Sequence, residues 1–516
     1  MRLFTAAYFF FFCLVSLGQS NGSATVTIGA EFKTNVRAVP VQVVHKDESG
    51  IYVIFGARAN GKGPRYLYKF DHELNLIAQQ KQALDFDVQQ RKIEYRLVPT
   101  RAGLFYISFL PSQQLFRQYF VQQVNPETLA LSQPRVIQVA EDFGNQPVDY
   151  TFTSATYFGE RVAVVHTFDG NVNSLPNVVV NVFDQDMQTV WGGTFQLPVI
   201  DKLLYIKDYQ VDKQGIVHVL AKRYYKNIRE VRDKVVNYDY MRYSLHPDGQ
   251  ITTQEVKTDN KLLANMRLKI TEKGDIIAMG TYSEATLTAL RGIYYTRWDG
   301  NSGALLKSSF TPLADDFFYQ TLSDGDTDRL QKSVADGKKL EHEGFYLRRM
   351  TGWPDGSVTI FGGLYQPDLL DLDARIPDHK AVVPPGTDGD QVIIHIDKEG
   401  DIKAARNWPD AMLSDAPNYL VSPEAIIYFT VENEKIQEFS TSGQFVIPVK
   451  IGKNTVVKRR WLGTNGEAKY HDLFNWEEAN GKTNLNFMML LSANEVLMLA
   501  QRRRNQRLIK VSFERL

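Results

Sequence analysis

Asp324, Asp326 and Asp328 stand at alternate positions in Asp-Gly-Asp-Thr-Asp, a spacing by which a compact loop can offer three carboxylates to one cation. Calcium takes roughly six to eight oxygen ligands, so such a triplet is the natural start of a calcium site. The match to a helix–loop–helix calcium loop then breaks, because Arg329 stands where its turn glycine belongs and Ala335 where its bidentate Glu belongs. The same residues also read as the acidic start of a helix, where negative charge is favoured.

A second acidic run lies at Tyr365 to Asp390 and holds Asp368, Asp371, Asp373, Asp378, Asp388 and Asp390 beside Pro384-Pro385-Gly386. Such a loop can hold a cation, meet a basic partner or supply an acid–base pair, and glycosidic chemistry needs two carboxyls about 5–10 Å apart. Tyr365 with Arg229 and Arg232, from the charged stretch Lys226 to Lys234, would then bind the ligand. His166, His218, His342 and His395 are scattered, with no pair at metal-ligand spacing. The chain contains no G-x-S-x-G, no phosphate-binding loop and no dinucleotide fingerprint. Arg502-Arg503-Arg504 reads as a solvated charge run in a turn.

Composition narrows the classes further. The 516 residues are 43% hydrophobic and 12% aromatic, enough for a large core. Lys plus Arg and Asp plus Glu are both 59, and this balance argues against a nucleic-acid partner. Residues 1–18 have the pattern of a signal peptide: Arg2, then an apolar run from Leu3 to Leu17, then small residues before Gln19. The single cysteine, Cys13, lies inside it, so a mature chain from residue 19 has no disulfide, thiol nucleophile or cysteine-ligated metal. Export without disulfides points to a periplasm, with the cell surface or the extracellular space as alternatives.

The elements that must position these groups follow from a recurring pair of turns. A polar turn leads into an apolar strand in Asp47-Glu-Ser-Gly-Ile-Tyr-Val, Asp212-Lys-Gln-Gly-Ile-Val-His and Thr271-Glu-Lys-Gly-Asp-Ile-Ile, among others. A second turn opens a later strand in the segments from Tyr68, Gln122, Asn181, Tyr243, Thr296, His395 and Glu438. Short strands repeating every 40–60 residues or so define an all-β chain of the β-propeller type. We read eight four-stranded blades, a to d, with b strands starting near Gly50, Gly103, Arg161, Gly215, Gly274, Gly356, Ala425 and Glu495. Seven blades is the alternative. The last unit lacks a fourth strand, and Ala24 to Phe32 can supply it and close the ring. Residues 19–516 then form one domain, with insertions at 312–343, 365–390 and 452–483. The first holds a helix between blades 5 and 6, carrying Leu330 and Val334 on one side. Connections a–b and c–d are short, and b–c and d–a are long. These sets emerge on opposite faces, and loops carry function, so the site belongs on the long-loop face.

Two units resemble propellers with a Trp-docking repeat, a group that includes quinone-cofactor dehydrogenases and scaffold propellers of outer-membrane assembly. Asp186-Met-Gln-Thr-Val-Trp191 is similar to the D-x-x-T-G-x-x-x-W element without its Gly, and Trp298-Asp-Gly-Asn-Ser-Gly keeps the Asp and Gly without the final Trp. The dehydrogenases carry a vicinal cysteine pair, which a mature chain without cysteine cannot form. The resemblance therefore implies a scaffold rather than a quinone enzyme.

The expectation is a monomeric, non-catalytic periplasmic propeller that binds an envelope protein or glycan through its long-loop face, with calcium as a conceivable cofactor. The alternative is a carbohydrate-active hydrolase or lyase with an acidic site on that face.

Overall fold

The computed structural model describes residues 24–34, 39–56, 65–81, 94–109, 118–138, 148–156, 159–168, 174–232, 235–284, 287–320, 324–336, 339–342, 344–352, 356–364, 391–408, 419–421, 425–433, 455–463, 468–475, 482–492, 495–502 and 505–513. Among these residues the chain forms eight antiparallel sheets of four or more strands and one two-stranded hairpin. Seven sheets are meanders in chain order. The fourth, for example, runs Leu204–Val211, Val217–Tyr224, Tyr238–Leu245, Ile251–Val256. The eighth (Lys482–Ser492, Glu495–Arg502, Asn505–Phe513) receives its fourth strand from Ala24–Ile28, which pairs antiparallel with residues 509–513. Phe32–Lys33 adds to the same strand.

Burial explains the strand patterns. The b strands Gly50–Gly56, Ile276–Ser283 and Val358–Leu364 are buried along their whole length. They lie in mid-sheet, and those of the first and fifth sheets have a neighbouring sheet on each side, so both faces must be apolar. The outer d strands Leu76–Lys81 and Thr189–Gln196 alternate towards solvent.

The apolar core is a succession of layers, each filled from two neighbouring sheets. Tyr52, Ile54 and Leu67 of the first sheet meet Leu104 and Tyr106 of the second. Phe105 and Val121 meet Val164 and Phe183 of the third. Val180 and Val182 meet Val219 and Tyr243 of the fourth. Leu220 and Tyr240 meet Leu268 and Tyr294 of the fifth. Ile293 and Tyr295 meet Ile360 and Ile394 of the sixth. Leu497, Leu499 and Leu508 of the eighth meet Val53, Phe55 and Phe70 of the first. The a strands of the eighth, first, second, third, fourth and fifth sheets also touch in that order. Twisted four-stranded sheets stacked face to face in sequence, a strands innermost, are the blades of a β-propeller.

The repeated turns have a shared physical basis. In the c–d turns, Asp71, Asp184 and Asp397 accept backbone N–H bonds from residues up to four positions on. The second residue before strand d then takes a left-handed conformation: Leu74 (φ 68°), Met187 (φ 57°), Gly249 (φ 84°) and Gly400 (φ 83°). This is a type I turn followed by a bulge residue, which suits hairpin twist. Leu74 and Met187 adopt it without glycine's freedom because both side chains are fully buried. Burial worth about 1.5–3 kcal/mol offsets a left-handed penalty of about 1–2 kcal/mol.

Polar latches tie each turn to the preceding sheet. Lys69 donates to Pro126 O, Arg297 to Lys398 O and Lys510 to His72 O, at 2.7–2.9 Å. These three cations occupy the same rung, opposite Tyr52, Ile277 and Leu497 of strand b. Between the third and fourth sheets, Trp191 of strand d donates through Nε1 to Gly215 O in the following a–b turn.

Three expectations change. Residues 452–483 are not an insertion: Thr455–Gly463 and Ala468–Asn475 are strands c and d of the seventh sheet. Lys458, Arg459 and Arg460 interrupt the apolar pattern there, and the turn assigned from Glu438 lies outside the described residues. The b–c connection of the eighth sheet is not long, since Arg502 of strand b pairs with Asn505 of strand c. The c–d connection of the second sheet, 124–134, is longer than its counterparts and folds back through a Val124–Leu131 bridge.

Candidate binding face

Among the described residues, the long connections of the fourth and fifth sheets build one face. On it the charged stretch Lys226 to Lys234 is a small hairpin, Val231–Arg232 pairing with Val235–Val236. Strands this short have no stability of their own, so the surroundings must hold them. Asn237 does much of this: its N–H donates to Glu230 O (2.9 Å), and its Nδ2 donates to Asn227 O (2.7 Å) and Arg229 O (3.0 Å). Val236 N–H donates to Asn260 Oδ1 at 2.9 Å, tying the hairpin to the junction with the fifth sheet.

Beneath the hairpin lies a buried cation. Lys222, 1% exposed, pairs with the Glu230 carboxylate. Its Nζ sits 3.8 Å from the ring centre of Tyr238 and 5.1 Å from that of Tyr224. Tyr224 OH donates to the other oxygen of Glu230. A desolvated ammonium needs a carboxylate and gains from aromatic faces. Glu230 therefore points inward, and the hairpin's outer side keeps Lys226 and Arg229 exposed.

Beside it, Tyr225 OH donates to Asp239, and Arg223 bridges Asp239 (3.9 Å) and Glu255 (3.1 Å). The hydrogen bond to Asp239 holds the Glu255 carboxyl above its ordinary range, with burial adding to it. Burial first, then the bond to Asp239, pushes the Tyr225 phenol up to about 12. Two carboxyls within hydrogen-bond reach of each other are closer than the roughly 5 Å or more that glycosidic chemistry requires.

The helical insertion covers the fifth and sixth sheets on the same face. Helices α1 (Asp315–Tyr319) and α2 (Asp324–Ala335) follow the fifth sheet. Phe317 and Phe318 are buried against Leu290, Leu313, Leu340 and Phe345, with Leu330 and Val334 packed on the same cluster. His342 lies against both rings, 5.9 and 5.3 Å between centres, and exchanges backbone bonds with Leu290. Burial lowers its pKa to about 4. Asn407 N–H donates to Gln320 Oε1 at 2.8 Å and fixes the insertion to the sixth sheet.

The sequence candidates fall out as follows. Asp324, Asp326 and Asp328 lie along the first turns of α2. The triplet thus stands on a helix rather than in the open loop that its spacing suggested. No group of three metal-ligating side chains occurs among the described residues. Tyr365, Asp368, Asp371, Asp373, Asp388 and Asp390 lie outside the described residues. Arg229 is exposed on the hairpin, and Arg232 is in its first strand.

Sequence reasoning missed one constellation with the residue types of a hydrolase. His218 lies 2.9 Å from Ser244 Oγ through Nδ1 and 3.0 Å from Asp212 Oδ2 through Nε2. Its place argues for a structural role. Ser244 is 5% exposed, His218 3% and Asp212 2%, so a substrate cannot reach the hydroxyl. Asp212 also caps its a–b turn by accepting Ile216 N–H. The sixth sheet repeats the rung with the roles exchanged, Thr359 on strand b and His395 on strand c, 3.1 Å apart. The group lies at the tight-turn end, away from the long loops.

The topology and this face define a β-propeller with one elaborated face. No known protein family matches the chain. No curated protein matches it either. Among solved structures it is similar to the Dos1 propeller (10% identity, 94% of this chain and 95% of that one, TM-score 0.41). It is also similar to the WD40 domain of SCAP from fission yeast (9%, 95% and 98%, TM-score 0.38). A puromycin hydrolase mutant aligns at 10% over 89% of this chain and 58% of that one, TM-score 0.38. Likenesses at this level carry nothing about activity. No helix among the described residues is long and apolar enough to cross a membrane.

Proposed function

We propose that the protein is an exported, non-catalytic scaffold, an eight-bladed propeller closed by its N-terminal strand, which binds an envelope protein through its long-loop face. The observation that carries the binding reading is the contrast between the two faces. One is tight, capped turns. The other holds a supported hairpin and a helical insertion, with Lys226, Ile228, Arg229 and Asp328 exposed on them. Closure is supported by the pairing of Ala24–Ile28 with the last strand, by the Lys510–His72 latch and by the apolar layer between the eighth and first sheets.

The test is site-specific photo-cross-linking in cells. Cross-linkers at Ile228 and Asp328 sample the long-loop face, and others at Glu48 and Lys273 sample the turn face. The proposal expects one protein to be captured from the long-loop sites and not from the turn sites. Capture from the turn face alone, or cleavage of envelope glycan by the purified protein, overturns it.

A further inference from the structure

We propose that the hairpin of the fourth sheet is the docking element and that its partner is an acidic protein segment carrying apolar side chains. The proposal rests on the scaffold reading and adds a place and a chemistry to it.

The first observation is exposure. Tyr225, Ile228, Val231 and Val235 are 50, 50, 44 and 56% exposed. They fall within eleven residues of one connection. The other exposed large hydrophobics among the described residues, Ile77, Val136, Val190, Leu305 and Leu306, sit singly or as a pair on outer d strands. Single exposed apolar residues need no explanation, but a cluster on a protruding loop does.

The second observation is rigidity. The contacts of Asn237, Val236 and Glu230 hold the hairpin, and the Tyr225 hydroxyl is tied to Asp239, so that the side chains of Ile228, Val231 and Val235 are not used to anchor it. A surface fixed before the partner arrives loses little conformational entropy on binding.

The third observation is charge, and it selects the partner. Lys226 to Lys234 contains four basic residues, Lys226, Arg229, Arg232 and Lys234, against Glu230 and Asp233. Glu230 is consumed by Lys222 and Tyr224 beneath the hairpin. Lys226 and Arg229 remain outward beside Ile228. Apolar side chains rimmed by cations fit a segment whose apolar residues are flanked by Asp or Glu.

The experiment uses the mature protein and three probes: a fluorescent twelve-residue peptide alternating Asp with Leu and Phe, the same peptide with Lys for Asp, and phosphatidylglycerol-containing vesicles. Fluorescence anisotropy should give binding of the acidic peptide, weakened by salt. Ile228→Ser with Val231→Ser should weaken it roughly tenfold or more, as should Arg229→Glu. Both variants alter exposed residues, and unchanged circular dichroism confirms the fold. No binding of the acidic peptide, equal binding of the Lys peptide, or unchanged affinity in the variants each overturns the proposal. So does vesicle binding that the variants abolish, which would assign the hairpin to a membrane. Self-association lost in Ile228→Ser would overturn it in favour of a second copy. If cross-linking captures a partner from Asp328 but not Ile228, the scaffold reading stands and the hairpin proposal fails.

Discussion

Acid should release the helical insertion, and His342 sets the window. Its imidazole lies against Phe317 and Phe318, and burial lowers its pKa from 6.5 to about 4. Once the insertion opens, the ring returns to its ordinary value and takes up a proton near pH 6.5. The open state therefore binds more protons than the closed one between about pH 4 and 6.5. The stability owed to neutral His342 is complete above about pH 7 and falls as pH drops through that window. A difference of 2.5 units corresponds to about 3 kcal/mol in full, of which about 2 kcal/mol is lost by pH 5. The perturbation is His342→Phe, which keeps a ring against Phe317 and Phe318 and removes the titration together with the 3.4 Å contact to Asn407 Nδ2. Hydrogen-exchange mass spectrometry on segments 313–320 and 339–345, at pH 8 and pH 5, reads the opening free energy. The wild type should lose about 2 kcal/mol more than the variant between the two conditions. Equal losses in both proteins would refute the reasoning, because the acid sensitivity would then come from other groups.

Three further outcomes follow from the packing. Glu230→Gln removes the carboxylate that pairs with buried Lys222 and should cost about 3 kcal/mol in chemical denaturation. Adding Lys222→Met to that variant should restore most of the loss, and failure to do so would show that Glu230 acts through other contacts. Gly400→Ala places a Cβ 2.4 Å from the Tyr295 ring in a left-handed turn, at φ 83°. It should cost about 2 kcal/mol or more and, if the latch between the fifth and sixth sheets depends on this turn, should raise exchange at Arg297 and Tyr295. Removing residues 24–33 exposes the edge of Asn505–Phe513 and should give a species that aggregates on gel filtration. A soluble, monomeric, fully folded truncation would contradict a ring closed by that strand.

What the sequence determined by itself is what depends on neighbours along the chain. A type I turn needs an acceptor at its first residue and a tolerated left-handed residue three positions on, and Asp71, Asp184 and Asp397 meet the first need within five residues of chain. That local rule repeats, so the register of the strands was legible, down to b strands at Gly50, Gly103 and Arg161. Helical periodicity likewise placed Leu330 and Val334 on one side of the insertion. Legibility failed where charge hid the pattern. Lys458 to Arg460 made strand c of the seventh sheet look like a polar loop, and the cations of 226–234 drew attention away from Ile228, Val231 and Val235.

Only tertiary structure decided which groups meet. Lys222 finds Glu230 across a chain reversal, and His218 finds Ser244 on the neighbouring strand, 26 residues away. Sequence patterns carry the period of one element and not the contacts between elements. The same physics separates the two constellations in function. Burial at the tight-turn end makes Asp212, His218 and Ser244 a clamp. On the long-loop face the inward turn of Glu230 leaves basic and apolar side chains facing solvent, and no count of residue types could have told the two apart.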